Sequence, residues 1–207
     1  MPKKTAKTSK KKSIKKSEIN SSKDQLQRKI IAGLFISLDG VTESPNEWQE
    51  TFDDDMGKDL QASLDKQDAI LLGRKTYEEW KQYWPDNTTD PFASYINNIQ
   101  KYVVSSTLEK VEWGNYNNIL LIKDITELKK IKAMNGKDIG MSGSVTLVRS
   151  LLNAGLLDEL YLMIHPVIVG KGKRLFNDND SLKRLKLTYS KTTSSGTIIV
   201  KYEPITQ

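Results

Sequence analysis

The 207-residue chain has no cysteine, which excludes disulfides and thiolate metal sites. No apolar run approaches the roughly 20 residues needed to span a bilayer. The N-terminus also lacks the apolar core of a secretory signal. A cytoplasmic or nuclear protein with no membrane contact is the expectation, with the cytoplasm as the default. The chain has little apolar residue of any kind: 37% is low for a globular chain, and 28% is charged. That combination indicates an unstructured part.

Its place is evident. Residues 1–29 hold ten Lys and one Arg against two acidic residues, a net of +9, which leaves residues 30–207 at −3 of the chain's +6. The Lys, Ser and Thr of this segment cannot bury enough apolar surface to order it, so 1–29 reads as a disordered Lys-rich tail and 30–207 as one domain. The body itself is mildly acidic, so nucleic acid along its surface is not expected. The run "KKKSIKK" leaves open a localisation signal or loose polyanion contact through the tail.

Within the body, strand and helix patterns alternate. "KIIAGLFISLDG" reads as a first strand closed by an Asp-Gly turn, and "VTESPNEWQETF" as a loop. "DDDMGKDLQASLDK" follows as a helix whose acidic start suits the positive end of its dipole. Next come the strand "AILL", a helix from "RKTYEEW", the loop "YWPDNTTDPF", and the strands "KYVVSS" and "NILLI". Asp124 and Glu127 have capping-box spacing ahead of a further helix. After the brief strand "DIGM", Ser144 is placed to cap the helix "SVTLVRSLLNAG". "DELYLMIHPVIVG", "LKLTYSKTT" and "GTIIVKYEP" are strands, the last two joined as a hairpin. The pattern implies an α/β fold with a mostly parallel sheet, helices on both faces and an antiparallel C-terminal hairpin, its ligand at the carboxyl ends of the strands.

Three strand ends carry polar groups suited to phosphate. At "LLGRKT", Gly73 lets the backbone come close to a ligand, Arg74 and Lys75 add charge, and Thr76 adds a hydroxyl at a helix start. "SGSVT" repeats the design with Ser142, Gly143, Ser144, Val145 and Thr146. "YVVSST" groups Ser105, Ser106 and Thr107. Any one of these alone reads as an ordinary cap or turn, whereas together they favour a dinucleotide. Neither a Walker loop nor a G-x-G-x-x-G fingerprint is present. The one histidine, His165, precedes Pro166 in an apolar strand and reads as structural.

These pieces carry a resemblance. "ISLDGV", "LLGRKTYE", "YVVSST" and "SGSVTLVRSLLNAGLLDELYLMIHPVIVGKGKRLF" are similar to the dihydrofolate reductase-like family, in particular to the C-terminal reductase domain of the bifunctional riboflavin-biosynthesis protein. The resemblance implies the three-layer fold of that family, a homodimer, and NADPH as hydride donor to a small heterocyclic or carbonyl substrate, in the manner of 5-amino-6-(5-phosphoribosylamino)uracil reductases. It places Arg74, Lys75 and Thr76 at the phosphates, Ser105, Ser106 and Thr107 at the adenosine 2′-phosphate, and Ser142 to Thr146 at the pyrophosphate and nicotinamide. It puts Asp39 beside the nicotinamide and Asp54 or Asp55 where a substrate carboxylate acts, with a plain dipole role as the alternative. Trp48 and Phe52 would wall the pocket, core packing being the alternative. Lys171, Lys173 and Arg174 would face solvent or a subunit contact. The match departs on the substrate side: Gly33 stands where the riboflavin reductases carry lysine, and Ser142 where they carry glutamate. A nucleotide-binding family member without turnover and a polyanion binder acting through the tail remain the alternatives.

Overall fold

A computed structural model describes residues 27–178 and 180–205. Residues 1–26 of the expected tail lie outside them. Arg28 and Lys29, assigned above to the tail, belong instead to the body. Arg28 is buried, pairs with Asp68 and donates through Nε to the Lys137 carbonyl at 2.6 Å. The Lys29 carbonyl accepts from Ile139 N at 2.8 Å.

Eight strands form one sheet: β1 (Ile30–Ser37), β2 (Gln67–Gly73), β3 (Gln100–Val104), β4 (Ile119–Ile122), β5 (Asp138–Met141), β6 (Glu159–His165), β7 (Leu185–Thr192) and β8 (Ile198–Pro204). Their order is β4-β3-β2-β5-β1-β6-β8-β7. The first six strands are parallel, and β8 and β7 run antiparallel at one edge. The runs AILL and LYLM are apolar throughout because strands covered on both faces have no solvent side. β6 stops at His165, short of the expected 170, where Pro166 has no N–H to give to a ladder.

The helices are α1 (Pro45–Trp48), α2 (Asp54–Leu64), α3 (Arg74–Tyr83), α4 (Pro91–Asn98), α5 (Leu128–Lys132), which a 3-10 turn (Ile125–Glu127) precedes, and α6 (Val145–Asn153). The Asp124–Glu127 capping box is fully formed. Two helices lie outside the sequence reading. Proline at the start of α1 turns part of the expected 41–52 loop helical. Asp90 caps α4 by accepting from Phe92 N at 2.8 Å, with Pro91 fitting its first turn. No described helix is long and apolar enough to cross a membrane.

The two faces of the sheet are covered differently. On one, α5 and α6 bury Leu128, Ile131, Val148 and Leu151 against Ala32, Ile139 and Leu160 in a single continuous core. The other face carries two separate clusters. One sets Met56 of α2 against Ile31, Met163 and Ile199, and the other joins α3 and α4 to Ile70, Leu72, Val103 and Trp113. Between them β1 presents Gly33, which has no side chain to fill the gap. On β5 the Gln67 side chain lies across Gly140 where a β-carbon would stand. A cleft of about 1070 Å³ opens along this gap.

A buried polar network fastens α4 to the sheet. Lys101 on β3 is fully buried, and its ammonium donates to Asn97 O at 3.2 Å, Ile99 O at 2.7 Å and Asn118 Oδ1 at 3.0 Å. Asn97 donates to Trp84 O at 2.8 Å and accepts from Trp113 Nε1 at 2.7 Å. Every acceptor around the ammonium is neutral, so burial pulls its pKa down from 10.5 to about 8. Lys101→Ala removes buried methylenes and leaves polar acceptors without a donor, and is expected to lower unfolding free energy by about 2–4 kcal/mol in chemical denaturation. The folded pKa lies below the unfolded one, so above about pH 8 the unfolded chain holds more protons. The wild type should therefore gain stability relative to Lys101→Met as pH rises from about 8 towards 10.5, and a pH-independent difference would contradict the buried ammonium.

Candidate active site

Three neighbouring strands end together above the cleft. Gly73 of β2 is in register with Val104 of β3, and Leu71 of β2 with Met141 of β5. The polar residues that follow these strands, 105–107, 74–76 and 142–146, therefore form one continuous rim, roughly 10 Å across at ordinary strand spacing. The rim is interlocked. A β-carbon on Gly73 would stand 2.6 Å from Ser144 Oγ and 3.1 Å from Ser144 N. One on Gly143, which has φ +135, would stand 3.3 Å from Thr76 Oγ1. The close approach at Gly73 is thus to Ser144, not to open ligand space as its sequence context suggested. Ser144 occupies the expected N-cap position of α6 but makes no side-chain cap bond. Gly73 leaves α3 uncapped as well. Two helix starts consequently face one notch with amide N–H groups that no side chain caps.

The sequence-derived residues divide on this geometry. Lys75, Thr76, Ser142, Gly143, Ser144, Val145 and Phe52 line the cleft. Arg74 and Lys75 are exposed, and neither forms a salt bridge among the described residues. Ser105 is buried, and its Oγ accepts from Leu108 N at 3.2 Å and Thr107 N at 3.3 Å, so it shapes the turn while Ser106 and Thr107 are exposed. Thr146 is also exposed, and its carbonyl accepts from Ser150 Oγ at 2.9 Å. Trp48 does not wall the cleft. Its Nε1 donates to Glu43 O at 2.9 Å and its ring packs edge-on against His165 at 5.6 Å. His165 is 3% exposed, and burial holds it below the ordinary histidine range against an opposing pull from Asp53. It is neutral at pH 7.

Two of the three proposed carboxylates are engaged elsewhere, and the third is exposed. Asp39 accepts from Ser37 Oγ at 2.7 Å, Val169 N at 3.0 Å and Gly170 N at 2.9 Å, and Arg174 adds an ion pair at 3.3 Å. These bonds, the Ser37 hydroxyl foremost, hold its carboxyl well below the usual range. Asp39 thus ties the loop after β1 to the loop after β6. Asp54 is exposed at the start of α2, and Asp55 pairs with Lys191 of β7 at 3.0 Å. None of the three lines the cleft. Asp53, not singled out in the sequence, caps α2 by accepting from Met56 N at 2.9 Å and also accepts from Ser195 N. Lys173 and Arg174 face solvent, one of the two expected settings, and both also act as braces: Arg174 pairs with Asp39, and Lys173 with Glu43 at 2.9 Å on the cleft rim.

Sequence reasoning missed the other wall. Trp80, Trp84, Phe92 and Tyr95 line the cleft from α3, the residue after it, and α4. Trp80 and Trp84 stand four and eight residues beyond Thr76, a helical spacing that could have revealed them. Tyr95 donates to Gln67 Oε1 at 2.9 Å, and Gln67 donates to Ser63 Oγ at 3.3 Å, which links α4 to α2 beneath the cleft.

Comparison with known proteins bears on the family and the fold. The RibD C-terminal domain family matches residues 28–199. YyaP of Bacillus subtilis, an uncharacterized protein, is 37% identical over 185 residues, covering 85% of this chain and 95% of its own. A solved structure of a protein ascribed to riboflavin biosynthesis in Shewanella sp. PV-4 superposes with a TM-score of 0.70 at 19% identity, over 86% of this chain and 99% of that one. Dihydrofolate reductase from Enterococcus faecalis, solved with NADP(H), gives 0.58 at 16% identity, over 86% and 97%. With its rim of strand ends over a cleft and its antiparallel β6-β8-β7 edge, the chain belongs to the RibD C-terminal domain family and has the dihydrofolate reductase fold.

Proposed function

We propose that this protein is an NADPH-dependent oxidoreductase acting on a small heterocyclic or carbonyl substrate held in the cleft. The observation that carries the reading is the rim, where two helix starts without side-chain caps meet beside the exposed Arg74 and Lys75, which form no salt bridge among the described residues. Phosphate oxygens are the natural acceptors for such N–H groups and charges. Arg74, Lys75 and Thr76 would hold phosphates at α3, the two cations favouring the extra 2′-phosphate of NADPH, Ser144 to Thr146 would do so at α6, and Ser106 and Thr107 would meet the adenosine 2′-phosphate from the end of β3. When bound, the nicotinamide supplies a hydride to the carbon of a C=N or C=O group while a proton goes to the heteroatom.

The chain's own part is binding, orientation and exclusion of water. Phe52, 51% exposed and edge-on to Phe35 at 6.2 Å, covers one side of the cleft. Asp39, Asp54 and Asp55 do not line it, so none of these carboxylates is assigned the proton transfer.

Two measurements test the reading. Titration with NADPH and NADH, followed through tryptophan fluorescence, should show preference for NADPH. Arg74→Ala with Lys75→Ala should weaken NADPH binding on the order of 10-fold or more and NADH binding much less. Equal losses would remove the 2′-phosphate assignment, and no binding of either nucleotide would remove the cofactor site. In a screen of pterins and the ribosylaminouracil phosphate, Asp54→Asn and Asp55→Asn should keep kcat/KM within about threefold for any accepted substrate. A loss on the order of 100-fold, the scale of a missing general acid, would return the proton transfer to these residues.

A further inference from the structure

The charge and shape of the cleft wall narrow the ligand, given the cofactor reading above. Trp84 and Phe92 meet at 5.2 Å with their planes 70° apart, Trp80 lies 6.0 Å from each, and Phe92 and Tyr95 meet at 5.2 Å. All four rings are only partly buried, so this contiguous wall keeps surface free towards the cleft. Of its polar groups, Tyr95 Oη is already used as a donor to Gln67, and the Trp80 and Trp84 indoles add only N–H donors that can meet a neutral ring system.

Charge along the cleft is sparse and slightly negative. Among the described lining residues the only cations are Lys75 and Lys173, against Glu43, Glu79 and Asp90. Lys173 is neutralised by Glu43, Lys75 is exposed on the rim where the cofactor phosphates are placed, and the Asp90 carboxylate is engaged with Phe92 N. That leaves Glu79, exposed, one turn of α3 beyond Thr76. No cation therefore stands deep in the cleft to receive an anionic substituent. Desolvating a phosphate against this wall would go uncompensated.

We infer that the aromatic wall of Trp80, Trp84, Phe92 and Tyr95 is a substrate-specificity surface for a flat, uncharged aromatic ring system, and that it discriminates against phosphorylated substrates. Flat rings gain both area burial and edge-to-face contact on such a wall. A phosphoribosyl group gains neither.

The test is calorimetric titration of the full-length protein, saturated with NADP⁺, with 1-naphthol and with 1-naphthyl phosphate, which differ only in the ester. 1-Naphthol should bind about tenfold tighter or better. Trp84→Leu and Phe92→Leu should each weaken 1-naphthol by about fivefold while leaving NADPH affinity in place, with some loss of melting temperature because both rings pack on the α3–α4 cluster. Should either variant fail to fold, Glu79→Lys reads the charge separately, since this exposed residue should, when reversed, improve the phosphate ester about threefold and leave 1-naphthol unchanged. Equal or tighter binding of the ester, indifference of 1-naphthol to both ring truncations, or no response of the ester to Glu79→Lys would each overturn the inference. Nucleotide binding is read in its own titration. Its absence alongside a clear naphthol preference would defeat the reductase reading and leave the wall, whereas nucleotide binding with ester preference would do the reverse.

Discussion

The contact between Gly73 and Ser144 organises the site. A β-carbon at 73 would fall 2.6 Å from the Ser144 hydroxyl, so only glycine lets the carboxyl ends of β2 and β5 meet at this distance. The same contact draws the Ser144 hydroxyl towards β2, and α6 starts without the cap that serine commonly provides. Gly143 answers from the other side, its α-carbon close to Thr76 in the first turn of α3. Two helices thereby begin at one point, with their positive ends converging. Arg74 and Lys75 stand exposed beside that point, and neither forms a salt bridge among the described residues, although Lys75 lies near enough to Glu43 to help lower its pKa. Local packing and local charge thus favour the same occupant, an anion.

The cleft below depends on an asymmetry between the faces of the sheet. One face is filled by a continuous apolar core and supplies most of the burial. The other holds two smaller clusters, with glycine at position 33 between them. What keeps α4 from sliding into the gap is a polar fastening. Lys101 grips the carbonyls of Asn97 and Ile99 at the end of α4, and Asn97 reaches on to the Trp84 carbonyl. A buried ammonium with neutral partners is an unfavourable element in isolation. Here it fixes the position of the Trp84 and Phe92 rings, so the stability of β3 and the shape of the cleft are linked.

Features with local signatures were legible in the sequence. The Asp124–Glu127 capping box formed as spaced, β5 took the four residues assigned to it, and the Gly-Arg-Lys-Thr junction began a helix. Each is set by residues within one turn of one another. The helix α4 had the same kind of signal in Asp90-Pro91, but it lay inside the polar run 83–92, which masked it. Arg28 was hidden for another reason. Its partner Asp68 is 40 residues away, and nothing near Arg28 marks it as different from the lysines before it. The carboxylates follow the same rule. Asp39 and Asp55 sit where a catalytic acid could stand, and only partners 130 and 136 residues distant show what they hold.

The difference between near and far signals also separates the two halves of the site. The rim is assembled from short motifs at strand ends, and these carry the family resemblance. The cleft is assembled from pairings across the sheet. At its floor, a β-carbon on Gly33 would lie 3.5 Å from Tyr161 Cδ1, an ordinary contact, so a longer side chain there would have to run along the Tyr161 ring. The resemblance noted above sets a lysine of the riboflavin reductases against this point, where this chain has glycine. Gly33 leaves the floor without a cation, while α3 and α4 supply aromatic rings on the wall above. Removing a positive charge from the floor and lining a wall with rings change the ligand preference in the same direction, from an anionic group held by charge to an apolar one held by contact. On the proposed reading, the short motifs at the strand ends would hold the nucleotide, and the wall assembled across the sheet would meet what it reduces.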